Sequence, residues 1–134
     1  MTQILIILVL LLSISSNSYQ LEVKVENIKS QQGIVKVCIF DNEKDFFGKA
    51  LKCIEVRPGA NNNVTVRFKD LPPGTYAVVA YHDINENGRL DRNFLGIPSE
   101  PYAFSNNPST LFGPPSFSRA AFELKRSVTI RIKL

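Results

Sequence analysis

The chain has 134 residues, 44% of them hydrophobic, with a formal net charge of +4, and it contains no Trp. That length suits one domain with a sizeable core, which Phe, Val, Ile and Leu must fill. Its basic residues are spread along alternating segments rather than gathered in a run, which argues against a nucleic-acid partner.

Residues Ile4 to Leu12 form an unbroken apolar run, followed by the mostly small and polar Ser13 to Ser18. A run this short does not span a bilayer as a helix, which needs about 20 residues. It fits the apolar region of a secretory signal peptide, with Ser16 and Ser18 at the −3 and −1 positions of a cut before Tyr19. The N-terminal Met1-Thr2-Gln3 lacks the usual Lys or Arg, and the alternative is a buried N-terminal strand. No Cys precedes Cys38 to accept a lipid. The expected organisation is a signal peptide over residues 1–18 and one domain over 19–134, secreted or periplasmic. No transmembrane segment is expected after cleavage.

Leu21, Val23 and Val25 alternate with Glu22, Lys24 and Glu26, the period of a half-buried strand. Ile34 to Phe40, Leu51 to Val56 and Val64 to Lys69 follow, separated by polar turns. After the Leu71-Pro72-Pro73-Gly74 turn, Thr75 to Tyr81 is strongly apolar and reads as a central strand. Ala120 to Lys125 and Val128 to Leu134 alternate again. The spacing predicts an all-β protein, a seven-stranded antiparallel β-sandwich. The Leu71-Pro72-Pro73-Gly74-Thr75-Tyr76 turn resembles that of prealbumin-like sandwich domains, which implies a prealbumin- or immunoglobulin-like type. Cys38 and Cys53 fall on neighbouring strands, either as one disulfide closing a loop of about 15 residues or as two buried thiols.

Residues 82–118 break the rhythm. They hold five of the eight prolines and no alternation. A stretch this long without regular structure is usually functional or disordered, and its several Phe and Leu residues can anchor it, so one long ordered loop insertion is expected. Four acids (Asp83, Glu86, Asp91 and Glu100) face two arginines (Arg89 and Arg92), which makes this segment acidic within a basic chain.

The chemistry-bearing core is Asp83-Ile84-Asn85-Glu86-Asn87-Gly88-Arg89-Leu90-Asp91. With Asp83 as position 1, side-chain oxygens fall at 1, 3, 5 and 9, Gly88 at 6 and the Arg89 carbonyl at 7. This is the first part of an EF-hand-type calcium loop. Asn at 3 and 5 supplies neutral oxygens, so carboxylates need not crowd. The all-oxygen set favours calcium over transition metals. Phe94 stands at position 12, where the closing Glu is expected, and Glu100 is the candidate to replace it. The candidate calcium ligands are Asp83, Asn85, Asn87, Arg89 through its carbonyl, Asp91 and Glu100. The competing reading is an ion-free loop tied by Asx-turns. His82 precedes the loop; with no second His and no activated Ser or Cys, it reads as a hydrogen-bonded structural residue.

Several segments together resemble an uncharacterised family of exported bacterial proteins known as domain of unknown function 2141. They are His82 to Asp91, Asn93-Phe94-Leu95-Gly96-Ile97-Pro98-Ser99-Glu100, Phe104-Ser105-Asn106-Asn107, Phe112 to Phe117 and Leu71 to Tyr76. Ala103 stands where Gly is expected, and the two cysteines are not part of the pattern. The resemblance implies export and no known activity.

The functional expectation is a non-enzymatic, exported, calcium-binding domain in envelope structure or ligand binding, with an unidentified protein or glycan as its further partner. Two alternatives stand beside it. One is a small hydrolase using His82 and Glu100. The other is a carbohydrate-binding module using Tyr81, Tyr102 and Phe104 as a stacking platform, which requires those rings to be exposed.

Overall fold

The structure is a computed structural model that describes residues 16–134. The expected signal peptide lies almost wholly outside the described residues. Among the described residues no helix is long and apolar enough to cross a membrane.

The described chain is all-β, with strands β1 (Tyr19–Glu26), β2 (Ile34–Phe40), β3 (Lys52–Val56), β4 (Val64–Leu71), β5 (Gly74–Asp83), β6 (Tyr102–Phe104), β7 (Phe122–Leu124) and β8 (Val128–Lys133). One four-residue helix, α1 (Phe117–Ala120), precedes β7. The strands form two sheets. One has the order β4-β1-β8; the other has the order β3-β2-β5-β6, with β7 also paired to β5.

One main core lies between the sheets. Leu21, Val23 and Val25 of β1, and Val64, Val66 and Phe68 of β4, meet Val35, Val37 and Ile39 of β2, and Val78 and Ala80 of β5. The period of two puts these side chains on one face of each strand. The basic and acidic residues between them fall on the outer face, where Glu22 accepts from Arg67 Nε at 3.0 Å.

Three features differ from the sequence expectation of seven antiparallel strands. An eighth strand, β6, lies inside the segment expected to be irregular; its three residues are too few to show a period. The last strand runs parallel to the first, with Leu21 opposite Val128 and Val25 opposite Ile132. Alternation marks which face is buried but carries no information about direction, which the route of the connecting chain decides. Strand β5 also continues past Tyr81, because His82 and Asp83 pair with Val35 and Ile34 of β2.

The outer face of the five-stranded sheet is covered as well. Cys38, Phe40, Ala77, Val79, Phe104 and Ala120 form a second cluster, against which Phe46, Phe47, Tyr102 and Phe117 pack. Phe46 is its hub, 5.5 Å from Phe40, 5.5 Å from Phe117 and 5.9 Å from Phe104. Strand β5 is therefore buried on both faces, which is why its sequence is apolar without alternation. Cys38 and Cys53 are directly opposite each other on β2 and β3 and form a disulfide, with Cα atoms 4.1 Å apart.

Candidate functional site

The candidate loop leaves the end of β5, and its start is fixed by close packing. Gly33, with φ +75°, sits beside it; a Cβ there would stand 2.3 Å from the Asp83 carbonyl oxygen. Only Gly fits that approach. His82 is 1% exposed. Its Nε2 is 2.5 Å from the Gln32 carbonyl oxygen, and its backbone N–H donates to Pro101 O at 2.9 Å. The ring thus ties the β1–β2 connection to the loop base.

Beyond His82 the loop wraps around the Asp83 carboxylate, which is buried. Asp83 Oδ1 accepts the Asn87 N–H at 3.2 Å and Oδ2 accepts the Gly88 N–H at 2.7 Å. Gly88 turns the chain with φ +80°. Asn85 Oδ1 accepts the Asn87 N–H at 3.3 Å, and Asn87 Oδ1 accepts the Arg89 N–H at 3.1 Å. These are Asx-turns, the local geometry that Asn favours.

The carboxamides of Asn85 and Asn87 also converge on Asp91. Their Nδ2 atoms lie 2.5 Å from Asp91 Oδ2 and Oδ1 respectively. The bond from Asn87, and then that from Asn85, hold the Asp91 carboxyl below its usual range, with Arg89 adding to the effect. Arg89 itself lies past the turn, its Nε 3.8 Å from Asp91 Oδ1. Four of the six candidate ligands, Asp83, Asn85, Asn87 and Asp91, thus belong to one hydrogen-bonded unit.

Glu100 joins that unit differently. It is buried, with Oε2 accepting the Ile84 N–H at 2.7 Å and Oε1 accepting the Asp91 N–H at 3.0 Å. One carboxylate therefore straps both ends of the loop. Phe94 is not involved, being 96% exposed. It lies at the tip of a hairpin closed by the Arg92–Pro98 bridge, where Asn93 Oδ1 accepts the N–H groups of Leu95 and Ile97.

The donor set has a definite chemical character. Among the described residues no three His, Cys, Asp or Glu side chains gather as a metal site. A cation here must rely on two carboxylates, Asp83 and Asp91, with neutral amide and backbone oxygens for the rest. Such a set suits a hard, oxygen-seeking ion held weakly. Exchange of each amide's N and O, which differ little in shape, would turn oxygen toward Asp91's side of the loop, at the expense of the Asx-turns that those oxygens now make with the Asn87 and Arg89 N–H groups.

The motif Phe104-Ser105-Asn106-Asn107 is structural. Ser105 donates to Ala120 O and accepts the Val78 N–H at 2.9 Å. Asn106 Nδ2 donates to Ala121 O at 2.9 Å, and Asn107 Oδ1 accepts the Lys133 N–H at 2.9 Å. It locks β6 to α1 and β8. Phe104 and Tyr81 are buried and Tyr102 is half-buried, so these three rings present no exposed stacking row.

Three contacts at the loop were invisible in the sequence. Lys36 Nζ and Tyr81 Oη each lie 3.5 Å from the Gly88 carbonyl oxygen. Arg57 also reaches Glu86 at 2.8 Å. All depend on strand register, which no local pattern announces.

The family described as uncharacterized protein conserved in bacteria (DUF2141) matches residues 23–131. No curated protein and no solved structure matches the chain.

Proposed function

The chain belongs to this uncharacterised bacterial family, and from that premise we propose that it is an exported, non-enzymatic domain whose 83–91 loop binds calcium. The observation that carries this reading is the gathering of Asp83, Asn85, Asn87 and Asp91 into one hydrogen-bonded unit around the Gly88 turn; ion binding would turn the amide oxygens toward Asp91 in place of the nitrogens that face it now. Asp83, Asn85, Asn87, Asp91 and the Arg89 carbonyl would hold the ion. It would supply charge neutralisation and loop order rather than chemistry. Glu100, with both oxygens taken by N–H groups, serves as the strap that keeps the ends together.

The non-enzymatic reading rests on the same contacts. His82 is buried and held by a backbone carbonyl, and Glu100 is committed to two amides. Export rests on the Ile4–Leu12 apolar run and the Ser16 and Ser18 cleavage pattern. A prealbumin- or immunoglobulin-like sandwich accords with Tyr76, whose hydroxyl donates to Pro72 O at 2.6 Å four residues upstream. That is the geometry of a tyrosine corner.

Thermal melts in EDTA and in calcium test the reading. With a dissociation constant of about 0.1 mM and ~1 mM free calcium, the ion stabilises the fold by about 1.4 kcal/mol. That raises the melting temperature by roughly 4–8 °C. Magnesium has a much smaller effect, because it demands tighter octahedral geometry. Asp83→Ala and Asp91→Ala each erase the response. Superimposable wild-type melts up to about 10 mM calcium, ten times the weakest constant for such sites, leave the Asx-turn reading alone.

A further inference from the structure

The outer face of the five-stranded sheet is not covered throughout. Between the 46–50 segment and the 88–92 segment lies a cavity of about 460 Å³. That is within the range of sites for small organic ligands, about 300–1,000 Å³. Its apolar surface comes from Val79, Phe40, Phe47 and the Cys38–Cys53 disulfide. Lys36, Arg89 and Arg92 also line it, and no Asp or Glu does.

We propose that this cavity binds a small organic anion with an apolar body, such as an aliphatic carboxylate. The apolar part lies against the sheet and the disulfide, and the anionic group lies among the three cations. A packing gap needs no charged lining, and three cations without a lining acid favour an anion over a neutral or cationic guest. The cations are available because their present partners are loose. Lys36 Nζ is 3.9 Å from Glu55 Oε1, and Arg89 Nε is 3.8 Å from Asp91 Oδ1. Pairs this long, each with one partner well exposed to solvent, contribute little, so an anion in the cavity can replace them.

Arg92 is already placed. It lies 5.2 Å from the Phe47 ring centroid, and its Nη1 donates to Gly96 O at 3.1 Å. A positioned guanidinium loses little freedom when it takes a carboxylate. The cavity is too small for a folded partner, and it opens beside the Gly88 carbonyl that Lys36 and Tyr81 contact. The proposal does not need the metal, so its test is run without calcium.

Octanoate is the probe, titrated into the protein in EDTA by calorimetry, with octanol and octylammonium as controls of equal chain length. Saturable binding is expected, with octanoate at least about tenfold tighter than either control. Lys36→Gln and Arg92→Gln should each weaken it by about three- to tenfold. Phe94→Ser, at the exposed hairpin tip outside the cavity, should leave it unchanged. Lys36→Gln keeps the test informative if Arg92→Gln disturbs its hairpin. Equal affinity for octanol overturns the proposal, as do wild-type affinity in both cavity variants and no saturation up to about 10 mM.

Discussion

Glu100 Oε1 accepts the backbone N–H of Asp91 at 3.0 Å, across nine residues of chain. The other oxygen takes Ile84, so a single carboxylate closes the loop from both sides. This relationship separates strap from ligand. Glu100→Ala leaves two N–H groups without their acceptor and should cost about 2–3 kcal/mol. Glu100→Gln keeps one acceptor, and should cost roughly half as much. If Glu100 is a strap, the Gln variant still gains stability from calcium. Loss of the calcium response in that variant, with its fold intact by circular dichroism, would make Glu100 a ligand instead.

Gly33→Ala should be among the most damaging single methyl additions. The new Cβ would stand 2.3 Å from Asp83 O and 2.6 Å from Ile84 Cα, both backbone atoms, at a φ of +75°. Backbone cannot swing aside as a side-chain end can. The expected loss is about 3 kcal/mol, read as a lower urea midpoint at constant slope. A change under about 0.5 kcal/mol would mean that the loop base is not packed against β2.

Reduction of Cys38–Cys53 should weaken the fold without abolishing it. The bridge spans a sequence separation of 15, worth up to ~3 kcal/mol in the chain-entropy account. The main core between the sheets does not include it. Urea unfolding with and without dithiothreitol reads the difference, and coincident curves would assign the bridge no stabilising role.

Tyr81 should ionise late. Burial first, then the nearby charges of Asp83, Glu55 and Glu100, push its phenol from 10.0 up to about 12. Between those values the unfolded chain has lost this proton and the folded chain has kept it. Stability therefore falls as pH rises above 10.0. Alkaline titration of tyrosinate absorbance should show a late component that Tyr81→Phe removes. Its persistence in that variant would assign the late phenol to Tyr76, which burial also raises.

The strand set was largely legible because alternation reports burial directly. Leu21, Val23 and Val25 announced an inward face, and the strongly apolar Thr75–Tyr81 run announced a central strand. The candidate loop was legible for a similar reason. Its Asp, Asn and Gly spacing is local, and the Asx-turns that shape it span only a few residues.

By itself, the sequence determined the all-β class, most strand positions, the family resemblance and the position of the oxygen-rich loop. All of these follow from the side-chain character of neighbouring residues. Tertiary structure alone decided that β8 runs parallel to β1, that Cys38 faces Cys53 and that Glu100 reaches back to Ile84 and Asp91. It also decided that Lys36 from β2 meets Arg89 and Arg92 from a distant loop around one cavity. Those relationships depend on strand direction and register, which the packing of the whole core fixes and no short stretch of sequence encodes.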